Sequence, residues 1–215
     1  MEHVKSLPYV GENYGNVKPF GLSVLILGES HYIPGDDDLY DTFTREIIRR
    51  VLNIIDGPKD PTFNTRFFTK VARVFHDKKP DQGLQRQFWQ SVVYYVFIQE
   101  SVGKRPRIRP TDQMWRDGGP ALQEVLIEYE PEFVLVLGKQ LWSNLPIPLE
   151  TGPLVTLPNG QSRESRLYFN DAGSAFTFGI NHPSSGGWNY GTWTPWVKAA
   201  LETAIKFHGD RKLLL

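Results

Sequence analysis

Four short apolar runs, none of them alternating with polar residues, constrain this chain more than any other feature. They are Leu22 to Leu27, Val92 to Ile98, Phe133 to Gly138 and Ala175 to Ile180. A strand that is apolar at nearly every position is covered on both faces. The stretches between the runs are too long for hairpins and carry apolar residues at helical spacing. Phe43, Ile47, Val51 and Ile54/Ile55 predict a helix from Leu39, capped by Asp36 to Asp38 and ended by Gly57-Pro58. Further helices are predicted over Thr65 to Phe75, Gly119 to Tyr129 and Pro195 to Phe207, the last with Thr194 as N-cap. Strands separated by helices imply a three-layer α/β/α sandwich around a central, mostly parallel four-stranded sheet. The lead-in up to Gly21 reads as extended, and Pro158-Asn159-Gly160 as a hairpin turn.

The chain has 215 residues, without internal repeats or low-complexity tracts, and reads as one domain over residues 1–215. No apolar run reaches the length of a membrane span, so no membrane partner is expected. Met1-Glu2-His3-Val4-Lys5 is not followed by an apolar signal region, and a cytoplasmic location is expected. There is no cysteine, which excludes disulfides, thiolate nucleophiles and Cys-ligated metal. The 24 basic residues balance 24 acidic ones, so attraction to nucleic acid would have to be local. Lys104 to Arg109 is the one strong basic cluster, on a Pro-interrupted loop suited to backbone phosphate or simply to solvent.

Each of the four runs ends in a polar or Gly-rich loop: Gly28 to Tyr32, Gln99 to Gly103, Gly138 to Trp142, and His182 to Tyr190. In a parallel sheet these loops meet on one rim, where open α/β sheets place their chemistry. His182, leaving a strand end, is the first candidate, with a hydrogen-bonded turn histidine as its plain alternative. His31, His182, Glu29 and the aspartates lack the short-range spacing of metal ligands, and no metal is expected.

Two of these loops carry motifs. Gly28-Glu29-Ser30-His31-Tyr32 and His182-Pro183-Ser184-Ser185 stand at the first and last strand ends, with Val96-Phe97-Ile98-Gln99 and Val136-Leu137-Gly138 between them. In order and spacing, from about Val24 to Lys198, the chain resembles the uracil-DNA glycosylase superfamily. The founding family's first motif reads Gly-Gln-Asp-Pro-Tyr and its second begins His-Pro-Ser. The resemblance implies a monofunctional DNA N-glycosylase, monomeric and without cofactor, that acts on single- or double-stranded DNA. It makes His182 the donor to the departing base, Gln99 the amide reading the base edge, Tyr32 a wall of the pocket and Phe43 its stacking face. Ser30 and His31 fall in the same base-binding loop. It also places the side chain that fills the vacated space after His182, where Trp188 or Tyr190 is the candidate and packing onto the last helix is the alternative. Ser184, Ser185, Gly186 and Asn189 in that loop, with Lys139 and Gln140 at a helix start, offer hydroxyls, amides and backbone N–H groups for phosphates.

These residue types suit the reaction. Breaking an N-glycosidic bond leaves negative charge on the base and positive charge on the sugar. A donor aimed at the base oxygen stabilises the first, and a carboxylate stabilises the second or orients water. The chain departs from the family at the catalytic Asp, where it has Ser30. Glu29 is the first candidate for the missing carboxylate, although it also suits a loop residue bonding backbone amides. Asp36, Asp37 and Asp38 are the second candidates. Gln99 stands where uracil-specific members have Asn, so substrates extend to uracil, hypoxanthine or a modified pyrimidine, in repair or in defence against phage DNA. An inactive DNA- or protein-binding module on the same fold is the alternative. An α/β hydrolase acting on a small nucleotide or ester lacks its Gly-x-Ser-x-Gly elbow here.

Overall fold

The buried runs form strands, and the computed structural model describes them within residues 1–16, 20–31, 41–57, 63–104, 108–171 and 173–212. In chain order the strands and helices are β1 (Tyr9–Val10), β2 (Val24–Gly28), α1 (Phe43–Asp56), α2 (Arg66–Arg73), α3 (Gln82–Gln90), β3 (Val92–Val96), α4 (Asp112–Tyr129), β4 (Phe133–Leu137) and α5 (Lys139–Asn144). They continue with β5 (Glu150–Thr151), β6 (Val155–Thr156), β7 (Ser162–Arg163), β8 (Arg166–Asn170), β9 (Gly173–Ile180) and α6 (Tyr190–Lys212). No helix among the described residues is long and apolar enough to cross a membrane.

The four expected strands are the parallel centre of the sheet, in the order β3-β2-β4-β9. The sheet itself has seven strands rather than four. β1 adds antiparallel to β3 on one edge, and β8 and then β5 add antiparallel beyond β9 on the other. These additions escape a search for continuous apolar runs because an edge strand is half-covered. β8 buries Leu167 and Tyr168 and exposes Phe169. The Pro158–Gly160 turn is present, joining β6 to β7 with Gly160 at φ 82°.

Alternate residues of β2 feed two separate clusters. Val24 and Ile26 pack with side chains of α1, α2, α3 and α6, among them Ile48, Val71, Trp89 and Val197. Leu25 and Leu27 pack with Leu122 and Val125 of α4 and Leu141 of α5. Each fully buried aliphatic side chain of this kind contributes roughly 1.5–3 kcal/mol. Covering both faces is the reason these strands lack a polar alternation.

Helix limits differ from expectation where a better cap lies upstream. Asn189 accepts from the Thr192 N–H at 2.8 Å, so α6 begins at Tyr190 and holds Thr194 and Pro195 inside it. Thr111 accepts from Met114 N–H at 3.3 Å and starts α4 seven residues before Gly119. A helix not foreseen, α3, is capped by Asp81, which accepts from the Leu84 N–H at 2.8 Å. α1 begins at Phe43; Asp36 to Asp38, expected to cap it, lie outside the described residues, as do Tyr32 and Arg105 to Arg107.

Gly118 belongs to α4 because that helix lies directly on the end of β3. A Cβ at this position would sit 2.7 Å from the Phe97 carbonyl oxygen and 2.7 Å from Cδ1 of its ring, with Cε1 closer still. Gly118→Ala is therefore expected to cost about 1–3 kcal/mol, since the backbone oxygen cannot rotate away. A urea titration reads this as a lower midpoint at an unchanged slope.

Candidate functional site

The chain leaves β2 and reaches β3 through α1 to α3, whose side chains join one core cluster. It then leaves β3 and reaches β4 through α4, whose side chains join the other. β2 lies between β3 and β4, so successive crossovers diverge from its two sides. The crevice between the ends of β2 and β4 is thus the switch point at which open α/β sheets bind ligands. Glu29 follows β2 there, Gly138 follows β4, and Asn181-His182 follow β9 beside it.

Gly138 has φ 132°, a backbone state that side-chain-bearing residues rarely adopt, and it turns the chain from β4 into α5. A Cβ on it would lie 3.9 Å from the Glu29 Oε2, 3.7 Å from the His182 Cβ and 3.9 Å from the His182 Cδ2. The carboxylate and the imidazole therefore border one space above a bare glycine.

His182 is held from several sides. Its Nδ1 accepts from the Ser184 N–H at 3.2 Å, which assigns the proton of the neutral ring to Nε2. Its carbonyl oxygen accepts from the Ser185 N–H at 2.9 Å and from the Ser185 hydroxyl at 2.7 Å. Phe67 of α2 stacks on the ring at 5.3 Å and 27°. Lys70, one turn on, donates to the Pro183 carbonyl at 2.7 Å. Burial, then the charges of Arg109 and Lys70, push the imidazole below its ordinary range, so it is neutral at pH 7.

Glu29 extends the β2–β3 ladder by one step, its carbonyl accepting from the Ile98 N–H at 2.9 Å. Its side chain is 15 % exposed and its Oε1 lies 3.5 Å from the Arg109 Nη1. Burial raises its carboxyl above the usual range, and the Arg109 charge opposes that rise.

The remaining candidates divide by what their polar atoms already do. Gln99 is buried and its amide is committed to structure. Oε1 accepts from the backbone N–H of Lys5 at 3.0 Å and of Ser6 at 3.1 Å, and Nε2 donates to the Val96 carbonyl at 2.7 Å. The amide expected to read a base edge thus clamps the N-terminal segment. His31 is likewise buried, sharing a 2.9 Å hydrogen bond between Nε2 and the Thr44 hydroxyl, which in turn lies 3.0 Å from the Ser6 hydroxyl. Its ring meets Phe43 edge-on at 4.9 Å, and Phe43 is half-buried there. Ser30 is half-buried between Glu29 and His31.

In the last loop Ser184, Ser185, Gly186 and Gly187 are exposed. Trp188 and Tyr190 are not presented as wedges. The Trp188 indole N–H donates to the Asn181 carbonyl at 3.0 Å, its ring meets Tyr190 at 5.0 Å, and the Arg73 guanidinium covers Tyr190 at 3.7 Å. Asn189 is occupied as the α6 cap. Lys139 is exposed at the start of α5 with Gln140 half-buried beside it. A cleft of about 430 Å³ is lined by Lys139, Trp142, Arg163 and Asn181, sequence neighbours of Gly138 and His182, but not by Glu29 or His182 themselves. A larger one, about 650 Å³, runs along α4 and touches neither Glu29 nor His182. Among the described residues, no group of three or more His, Asp or Glu is placed to hold a metal.

Sequence reading missed Phe67, Lys70, Thr44 and Ser6, and gave Arg109 only a phosphate-binding role. Their contacts reach from Phe67 to His182 and from Lys70 to Pro183, and no local pattern marks them. No protein-family model matches the chain, and no curated protein matches it.

Two measurements test the buried network. Gln99→Leu leaves the N–H groups of Lys5 and Ser6 without an acceptor and is expected to cost about 1–3 kcal/mol, with faster hydrogen exchange at those two amides. Burial lowers the His31 pKa from 6.5 to about 4, so in that window the unfolded chain binds more protons than the folded one. Stability present above pH 6.5 is therefore lost as pH falls towards 4, by up to about 3 kcal/mol from this group. His31→Gln should flatten the pH dependence of unfolding across the same window.

Proposed function

We propose that this chain is a monofunctional DNA glycosylase, a divergent and cysteine-free relative of the uracil-DNA glycosylases built as a three-layer α/β/α sandwich, acting as a cytoplasmic monomer without a cofactor. The observation that carries the reading is the meeting of Glu29 and His182 over Gly138, both within 3.9 Å of one point at the switch of the sheet.

The chemistry follows from those two groups. A nucleotide is turned out of the DNA, at a few kcal/mol, and its base enters the crevice. The bond from C1′ to the base nitrogen breaks with its electron pair leaving on the base. His182, neutral with its proton on Nε2, donates to the base oxygen on which that charge collects. The Glu29 carboxylate faces the cationic sugar and takes the proton of the water that adds at C1′. Free base and an abasic site result. With the Gln99 amide tied to Lys5, Ser6 and Val96, selection among uracil, hypoxanthine or a modified pyrimidine falls to other groups. The exposed backbone of Gly186 and Gly187, together with Lys139, supports the flanking phosphates, the Ser184 and Ser185 N–H groups being held by His182.

A second reading, a DNA- or protein-binding module without turnover, is favoured by Ser30 at the motif carboxylate and by the committed Gln99 amide. Oligonucleotides carrying uracil, hypoxanthine or modified pyrimidines, single- and double-stranded, together with phage genomes, separate the two by alkali-labile abasic sites. Strand scission is expected with at least one of them. Glu29→Gln and His182→Ala should each slow the single-turnover rate by roughly a hundred- to a thousand-fold while DNA affinity is kept. Bound DNA without abasic sites from any substrate would leave the binding module standing.

A further inference from the structure

Arg109 lies two residues before the N-cap of α4. Gly103, at φ 131°, lets Ile108 fold against it, since a Cβ there would lie 2.7 Å from the Ile108 Cδ1. Pro110 is buried, and Thr111 caps α4 through the Met114 N–H. The Arg109 side chain is 64 % exposed, with Nη1 3.5 Å from the Glu29 Oε1. Its charge also acts on His182, together with that of Lys70 from α2.

We propose that Arg109 is the positioning residue of this site, a single guanidinium on the crevice lip that serves the carboxylate of Glu29 and the imidazole of His182 together. A fixed cation favours whichever form of a neighbour carries less positive charge. For Glu29 that is the carboxylate, and for His182 the neutral ring. These are the two forms that base release requires, so the inference rests on the glycosylase reading for its purpose. Burial acts differently on the pair: it keeps His182 neutral, but it pushes Glu29 towards the neutral acid. Among the described residues, Arg109 is the charge that works against burial at Glu29. His182 is faced by Arg109 from the β3–α4 loop, by Lys70 from α2 and by Glu29 from the end of β2. At 3.5 Å and in contact with solvent the pair is too loose to be a stability device.

The test is a site-resolved NMR titration of the Glu29 carboxyl carbon and the His182 ring nitrogens in the full chain, its Arg109→Gln variant and its Arg109→Lys variant. DNA affinity and single-turnover rates are measured on the same samples. In Arg109→Gln both midpoints should move to higher pH, with Arg109→Lys returning most of the change and the thermal midpoint unaltered. The acid limb of the rate should then move up in pH with Glu29, because less carboxylate is present at each pH. Midpoints that stay in place, or move in opposite directions, overturn the assignment; so does an Arg109→Gln variant whose sole defect is weaker DNA binding, which marks a phosphate contact. Shifted midpoints in a protein that releases no base from any DNA overturn the glycosylase reading and leave the role of Arg109 intact.

Discussion

Everything at the candidate site depends on β2 being flanked by parallel neighbours on both sides. Val24 to Gly28 pair with Val92 to Val96 on one side, and Val24 to Leu27 pair with Phe133 to Val136 on the other. Because the ladder with β3 runs on through Gly28 and Glu29, the first residue able to carry charge leaves the sheet at a fixed height. The same register places Gly138 opposite it, and the Gly138 N–H donates to the Ile180 carbonyl at 2.8 Å, which sets the height of Asn181 and His182. A slip of one residue in any of these pairings would turn the side chain of Glu29 to the other face and separate it from His182. Burial on both faces forbids the slip, since it would exchange the residues that fill two separate cores.

The parts legible in the sequence are those governed by a local rule. Four doubly covered strands announce themselves as apolar runs, and the four chain segments that leave them announce a rim. Glu29 and His182 were reachable because strand ends and a paired motif both point to them. The added strands β1, β5 and β8 were not, because runs of two to five residues carry no usable period. The start of α6 was misplaced for a different reason. Thr194-Pro195 is a sound opening by itself, and only the folded chain shows that Asn189 reaches Thr192 first.

Gln99 and His31 belong to one buried network. Gln99 turns its amide back to Val96 and seats the backbone of Lys5 and Ser6 on its oxygen. Ser6 then reaches Thr44, and Thr44 reaches His31. Burial keeps that histidine uncharged. Two residues that look unrelated in the sequence thus tie the N-terminal segment to the strand ends. A buried network is stable only when each donor and acceptor is met, so these positions are coupled in their tolerance to change.

Glu29 owes its surroundings to the same sheet register. Its side chain reaches Gly138 and Arg109 together. Half-burial makes such a group reactive and reluctant to ionise at once, the common condition of acids and bases in clefts. The chain meets it with a charge delivered from a neighbouring loop rather than with a second acid. A site built in this way draws its backbone precision from the sheet and its protonation from the loops, and the two are encoded in segments eighty residues apart.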